Sequence, residues 1–340
     1  MKPLPTIEDV ARRCGVSTAT VSRVLNNPDR VRAETRKKVE TAVAELGYTP
    51  HFGGRALASN RTNTFGAVIP TMENAIFARG LQALQEELAE AGATLLVATS
   101  GYDPDKEEEQ IRALLGRGVD GLVLIGETRK DTIYEMLARR AMPFVLVWIW
   151  RPDCPHACVG FDNRASARAI AEEVLNEGHR EIAMISGISR GNDRAAERIL
   201  GVREALAAAG IELRPDRLVE TKYSLEAGRE AAQTLLATSP RPTAIICGND
   251  VLAAGALAAA RAAGLAVPRD LSITGFDNIE LSEVVSPPLT TVNVPHRRMG
   301  KTAADMLLRA ARGDAADNRV VFRTDVVRRD SLGPAPAPKG

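Results

Sequence analysis

Residues 6–26 read Thr6-Ile7-Glu8-Asp9-Val10-Ala11-Arg12-Arg13-Cys14, then Gly15-Val16, then Ser17-Thr18-Ala19-Thr20-Val21-Ser22-Arg23-Val24-Leu25-Asn26. Ile7, Val10, Ala11 and Cys14 recur at i, i+3, i+4 and i+7, one apolar stripe of a short helix. Thr6, followed three residues on by Asp9, has the pattern of a capping box. Gly15-Val16 stops that helix, and Ser17 caps a second over 17–25 with Val21, Val24 and Leu25 on its apolar side. Two short helices separated by a glycine-containing turn form the helix-turn-helix pattern. Loop chemistry at Asn26-Asn27-Pro28-Asp29 leads into a third helix over about 33–46. Its stripe is Val39, Ala42, Val43 and Leu46, and Gly47 ends it. Three stripes are enough for one small core. The remaining faces carry Arg12, Arg13, Arg23, Arg36, Lys37 and Lys38.

Those cations split the charge of the chain. The 340 residues sum to a formal +1. Residues 1–61 hold eleven Lys/Arg against six acids, a net +5, so the remainder carries −4. A small basic head on a mildly acidic body predicts an anionic partner for the head. At about 150 residues per domain the length predicts two to three domains. Apolar residues at 45% and charged residues at 26% fit a soluble globular chain, not a disordered one. The longest strongly apolar run, 144–150, has seven residues, far short of the roughly 20 that cross a membrane. The opening Met1-Lys2-Pro3-Leu4-Pro5 lacks the apolar stretch of a secretory signal. Four cysteines make no disulfide framework, so the expectation is a cytoplasmic protein with reduced thiols and no membrane contact.

From residue 64 the pattern changes. Apolar runs of strand length at 65–69, 94–99, 121–125, 144–148 and 157–159 alternate with helical stretches at 77–91, 106–115 and 131–139. The alternation resumes with helices at 165–176, 195–209, 225–236 and 251–263, and strands at 182–185, 219–221, 244–247 and 272–274. This predicts an α/β body of parallel sheets flanked by helices. About ten strands are too many for one compact open sheet here, so two similar lobes are expected. No strand is followed by a glycine-rich phosphate loop. Ligands of such sheets sit beyond the carboxyl ends of the strands. The candidates there include Asp103, Glu127, Trp148, Trp150, Asn163, Lys222, Tyr223 and Phe276, a mixture of polar groups and aromatic plates suited to a sugar-like molecule. Trp148 and Trp150 alternate at strand spacing, so both could equally be core. Cys154-Pro155-His156-Ala157-Cys158 has no second Cys/His pair nearby and reads as a loop, not a metal site. No catalytic triad is recognisable around His179 or His296, so no catalytic residue, metal or cofactor is assigned.

Thr6 to Ala11, Gly15-Val16-Ser17 and Thr20 to Asn26 resemble, almost position by position, the N-terminal signature of the lactose-repressor/galactose-repressor family of bacterial transcription regulators. Glu45-Leu46-Gly47-Tyr48-Thr49-Pro50 resembles the end of that family's headpiece. In the body, Arg198-Ile199-Leu200-Gly201, Gly248-Asn249-Asp250, Gly275-Phe276-Asp277 and Pro288-Leu289-Thr290-Thr291-Val292 match its recurring motifs. The similarity covers nearly the whole chain, and Val159-Gly160-Phe161-Asp162-Asn163 resembles the gluconate-repressor branch. The resemblance implies an all-α helix-turn-helix headpiece over 1–50, a hinge over 51–61 and a two-lobed periplasmic-binding-protein-like body over 62–330. The first lobe would take 62–160 and 292–320, the second 161–291, and 331–340 would be a disordered tail.

For function, the resemblance implies a homodimeric repressor that binds operator DNA and is switched by a small sugar or sugar-acid effector between the lobes. Contacts to DNA would come from Thr6, Ser17, Thr18, Ala19, Thr20, Ser22, Arg23 and Asn26. Ala19 offers a methyl suited to thymine, and Ser17, Thr20 and Ser22 are short donors suited to phosphates. In the hinge, Arg55, Leu57 and Ala58 would meet the minor groove, with Leu57 as an apolar wedge. Gly53-Gly54 departs from the family's pattern and costs roughly 1 kcal/mol per glycine in helix formation. Arg198 and Asp250 fall where relatives hold the effector, Asn74 and Phe77 match a polar and aromatic pair of the first lobe, and Tyr223 matches an aromatic position. Trp148 stands where many relatives have an aspartate. A stand-alone solute-binding protein or an α/β enzyme with a helical accessory domain are the competing readings. The basic head opposes the first, and the lack of a nucleophile elbow, phosphate loop or metal cluster opposes the second.

Overall fold

The computed structural model describes residues 4–26, 28–49, 61–73, 75–314 and 319–337. Contacts divide the chain into two units at Asn63/Thr64. In the first unit, α1 (Ile7–Cys14), α2 (Thr18–Asn26) and α3 (Ala33–Leu46) surround Val10, Ala11, Val21, Val24, Val39, Ala42 and Tyr48. The capping box forms: Thr6 Oγ1 accepts the N–H of Asp9, and Asp9 Oδ2 accepts the N–H of Thr6 at 2.9 Å. Those bonds hold the Asp9 carboxyl below its usual range. Gly15 takes the left-handed conformation, φ +68, that turns the chain into α2. Tyr48, beyond the periodic stripes, closes the core from the end of α3.

The second unit holds two parallel sheets. The first has the order β11-β5-β4-β3-β1-β2, with β1 (Thr64–Ile69), β2 (Thr94–Thr99), β3 (Gly121–Ile125), β4 (Phe144–Val147), β5 (Cys158–Gly160) and β11 (Arg319–Val321). The second has the order β7-β6-β8-β9, with β6 (Ile182–Gly187), β7 (Leu218–Thr221), β8 (Ala244–Cys247) and β9 (Ser272–Thr274). The lobes therefore differ in size, six strands against four. A short antiparallel pair, β10 (Thr291–Asn293) with β12 (Asp325–Val327), lies on the returning chain. The chain passes between the lobes after β5, after β9 and after β11.

Helices cover both faces of each sheet. The first lobe has α4 (Ala75–Glu90), α5 (Pro104–Gly116), α6 (Asp131–Arg139) and α12 (His296–Arg312). The second has α7 (Asn163–Asn176), α8 (Asp193–Ala208), α9 (Leu225–Leu236), α10 (Asp250–Ala262) and the short α11 (Leu281–Val284). α4 and α12 approach so closely that a Cβ on Gly300 would lie 2.0 Å from the carbonyl oxygen of Gly80. One apolar cluster runs through both lobes, from Phe65 and Leu84 in the first to Met184, Val202 and Phe276 in the second. Separate clusters fill the outer face of each sheet.

The expected disordered tail is corrected for residues 331–337. Ser331 Oγ donates to the carbonyl of Ile273 at 2.5 Å and accepts the N–H of Thr290 at 2.9 Å. Gly333 bonds Ser272 and sits against the buried His179, and the N–H of Ala335 reaches the carbonyl of Glu177. Its Pro/Ala/Gly composition hides a strap laid along the second lobe, where Leu332 is buried.

Candidate functional site

Two regions present chemistry. On the headpiece, Ser17 sits at the start of α2, and its Oγ accepts the N–H of Thr20 at 3.1 Å. With Val21 and Val24 turned into the core, Thr18, Ala19 and Arg23 are exposed on the opposite side, and Thr20 and Ser22 are half-exposed. Arg12 pairs with Asp9 at 3.1 Å, Arg13 with Glu45 at 2.7 Å and Lys38 with Glu34 at 2.9 Å. Arg23 makes no ion pair with any described residue, so its charge is available outward. Thr6, also exposed, is occupied with its cap. The hinge candidates Arg55, Leu57 and Ala58, and the Gly53-Gly54 pair, lie outside the described residues, as does Asn74.

In the body, a narrow cavity lies between the lobes, its free volume only about 10 Å³. Ile76, Phe77, Tyr102 and Trp148 line it from the first lobe. Asn192, Arg194, Arg198, Tyr223, Asn249 and Asp277 line it from the second. Tyr102 and Tyr223 face each other with ring centroids 6.1 Å apart, and Phe77 meets Trp148 edge-on at 5.4 Å. The first-lobe wall has few free polar atoms: Trp148 Nε1 donates to Nδ1 of His296 at 3.1 Å, and His296 Nε2 faces the carbonyl of Asp277 at 3.3 Å.

Arg198 is the centre of the second-lobe wall. It is 4% exposed. Its Nε donates to Asn163 Oδ1 at 2.9 Å, its Nη1 to the carbonyl of Gly248 at 2.7 Å, and its guanidinium lies 3.8 Å over the Phe276 ring. Nη2 is left facing Asp277 Oδ1 at 3.7 Å, too long for a hydrogen bond. Asp277 Oδ1 and Asn249 Nδ2 are buried and find no hydrogen-bond partner in the protein. Leaving such groups buried and unsatisfied costs about 1–3 kcal/mol each, so a ligand that supplies the missing bonds recovers that cost. Burial pushes the Asp277 carboxyl up to about 8, with Arg198 pulling the other way.

The backbone concentrates strain here. Of six non-glycine residues with positive φ among those described, three line the cavity: Tyr102 at +63°, Trp148 at +62° and Asp277 at +104°. Each costs of order 1–3 kcal/mol, and such residues gather at binding sites.

Several sequence candidates stand elsewhere. Asp103 caps α5, accepting the N–H groups of Asp105 and Lys106. The Glu127 carboxylate pairs with Arg151 at 3.1 Å. Trp150 packs into the outer cluster of the first lobe, and Lys222 is exposed. Asn163 and Phe276 do not line the cavity but hold Arg198 from two sides. Asp250 is fully buried beneath it: Oδ1 accepts Thr291 Oγ1 at 2.6 Å and Oδ2 accepts the N–H of Ile279 at 2.8 Å, pinning the loop that carries Asp277. Asn192, Asn249 and Asp277 follow strands, so the strand-end rule reaches them. Tyr102 lies between Gly101 and Asp103 after β2 and was reachable by the same rule. Ile76, Arg194 and His296 carry no such signal. Cys154 and Cys158 are buried free thiols, and burial pushes the Cys158 thiol up to about 12.

Residues 6–51 match the family model for bacterial regulatory proteins of the lacI family, and residues 171–332 match that for the periplasmic binding protein-like domain. The HTH-type transcriptional repressor PurR of Photobacterium profundum is 35% identical over 331 residues, 97% of this chain and 99% of that protein. The HTH-type transcriptional regulator DegA of Bacillus subtilis is 37% identical over 333 residues, 97% and 98% of the two chains. Among solved structures, the lac repressor dimer bound to operator and the anti-inducer ONPF is similar at TM-score 0.86 and 28% identity, over 97% of this chain and 100% of that one. The transcriptional regulator CelR–cellobiose complex is similar at TM-score 0.71 and 32% identity, over 96% and 99%. A helix-turn-helix head and a two-lobed ligand-binding body in one chain define a DNA-binding transcription regulator, not an enzyme. This chain belongs to the lacI family of bacterial regulatory proteins.

Proposed function

We propose that the protein is a cytoplasmic homodimeric repressor whose headpieces read the two halves of a pseudopalindromic operator, and whose cleft takes a small sugar or sugar acid. The observation that carries the effector reading is the pair of buried, unsatisfied atoms, Asn249 Nδ2 and Asp277 Oδ1, beside Arg198. One is a donor and one an acceptor, which is what a hydroxyl answers, and Arg198 Nη2 suits a hydroxyl or a carboxylate. The aromatic rings of Phe77, Trp148, Tyr102 and Tyr223 offer stacking faces to the apolar side of a sugar ring. The cellobiose held by the CelR relative, and the small molecule and operator held together by the lac repressor dimer, support the same reading.

On the DNA side, Thr18, Ala19 and Arg23 would read bases in the major groove, with Ser17, Thr20, Ser22 and Asn26 toward phosphates. Leu57 and Ala58 would wedge the minor groove from the hinge, with Arg55 on the backbone. An effector that binds the DNA-competent and incompetent states unequally couples the two sites reciprocally. Melting the full-length protein against panels of sugars, sugar acids and sugar phosphates tests the effector reading. A ligand that binds only the folded state raises the melting temperature, and Asn249→Ala is expected to abolish the rise. A rise that survives Asn249→Ala, or no rise with any compound, contradicts it.

A further inference from the structure

Asp193 is the first residue of α8, in the second lobe, yet its carboxylate is held by the first. Oδ2 accepts the N–H of Thr128 at 3.1 Å and, at closer range, that of Glu127. Both amides belong to the loop after β3. Oδ1 accepts Nη1 of Arg194 at 2.6 Å. The two side chains are only 8% and 10% exposed. Gly126 makes this approach possible. It adopts φ +71, and a Cβ there would lie 1.9 Å from Arg194 Nη1 and 2.5 Å from Asp193 Oδ1.

The receiving loop is stiffened from behind. Arg129, its side chain wholly buried, donates to the carbonyl of Gly126 at 3.0 Å and to Tyr134 at 2.6 Å, and the Tyr134 hydroxyl donates to the carbonyl of Glu127 at 2.8 Å. One carboxylate thus ties together a rigid loop of the first lobe, a helix of the second and an arginine of the cavity wall. Its bonds are charge-assisted and nearly dry, the stronger kind. By contrast, Arg79 also reaches across to Glu280, at 2.9 Å, but that acid is 90% exposed, and exposed pairs contribute little.

We propose that Asp193 is the latch of the cleft and the positioning residue of Arg194: parting the lobes requires its carboxylate to surrender both backbone donors together. The latch gives the body two discrete states, closed with Asp193 bonded to both first-lobe amides and open with those bonds broken, Arg194 staying paired with Asp193 on its own helix. It rests on the effector reading only for its consequence, that a ligand enters the open state and is enclosed when the latch re-forms.

The test needs no ligand. Trp148 lies on the cavity wall at 3% exposure, and the chain has one other tryptophan, Trp150. In full-length protein carrying Trp150→Phe, acrylamide quenching of Trp148 reads the opening, and amide hydrogen exchange at Glu127 and Thr128 reads the bonds. Asp193→Asn is expected to raise exchange at both amides about tenfold and to raise the quenching constant with it. Arg79→Ala is expected to change neither. Should Asp193→Asn fail to fold, Gly126→Ala displaces the same pair without removing charge and is read identically. A folded variant with unchanged quenching overturns the latch, whether or not exchange rises. Because no ligand is present, that failure leaves the effector reading intact, and a failed effector screen leaves the latch intact.

Discussion

Arg198 is a buried cation whose partners are all within the second-lobe wall or the chain leading into it. Arg198→Ala would leave Asn163 Oδ1 and the carbonyl of Gly248 buried without their donor. Each group so stranded costs about 1–3 kcal/mol, a loss that urea unfolding of the variant should show. Titration supplies a second prediction. Burial lifts Asp277 to about 8 and Asp250 to about 7, and pushes His296 down to about 3. A carboxyl raised in the fold adds stability that is complete below its unfolded value near 3.8 and is lost as pH climbs toward 8. A histidine lowered in the fold acts oppositely: its contribution is lost as pH falls from 6.5 toward 3. Asp277→Asn is therefore expected to flatten the decline of the melting temperature between about pH 4 and 8 and to leave the acid side unchanged. At this scale the sequence was only partly legible. Strand-end position marked Tyr223 and Asn249, but no local pattern announces that Tyr102, Trp148 and Asp277 adopt left-handed backbones, since tertiary packing forces them. Nor could it say that Asp250 and Phe276 act from beneath the cavity.

The elements themselves were largely readable, because short apolar runs and 3.6-residue stripes alternate cleanly through the body. Four helices begin one or two residues ahead of their apolar stripe. α5, α7, α8 and α10 open at Pro104, Asn163, Asp193 and Asp250, each behind a capping Asp103, Asp162, Asn192 or Asn249. The first turn carries polar residues, so the apolar stripe begins after it. Those same first turns supply Arg194 and the latch, which is why periodicity overlooked them. Composition does not mark the strap, because backbone and hydroxyl bonds hold it and guanidinium bonds hold the residues just ahead of it. Arg329 donates to Asn278 Oδ1 at 2.8 Å and to the carbonyl of Leu289 at 2.9 Å, and Asn278 adjoins Asp277. Deleting residues 329–340 is expected to lower the melting temperature by about 5 °C or more, measured by calorimetry. At the crossing of α4 and α12, Gly300→Ala is expected to cost about 1–3 kcal/mol by overpacking against Gly80, read by urea unfolding.

Across the whole molecule, the near-zero net charge is a sum over two units with different partners. The first 61 residues carry +5 and the rest −4, which on the proposed reading favours phosphate contact at the head and leaves the body to a small solute. On the proposed reading, Arg23 is the cation of the recognition helix that spends its charge on DNA, and two copies impose two-fold symmetry on the site they read. Selection from randomised DNA duplexes with the full-length protein and with Arg23→Ala tests this directly. The expected result is enrichment of inverted repeats by the parent, with affinity for the enriched sequences falling about tenfold or more in Arg23→Ala. Enrichment of no sequence, or of the same repeats with equal affinity by both proteins, would contradict it.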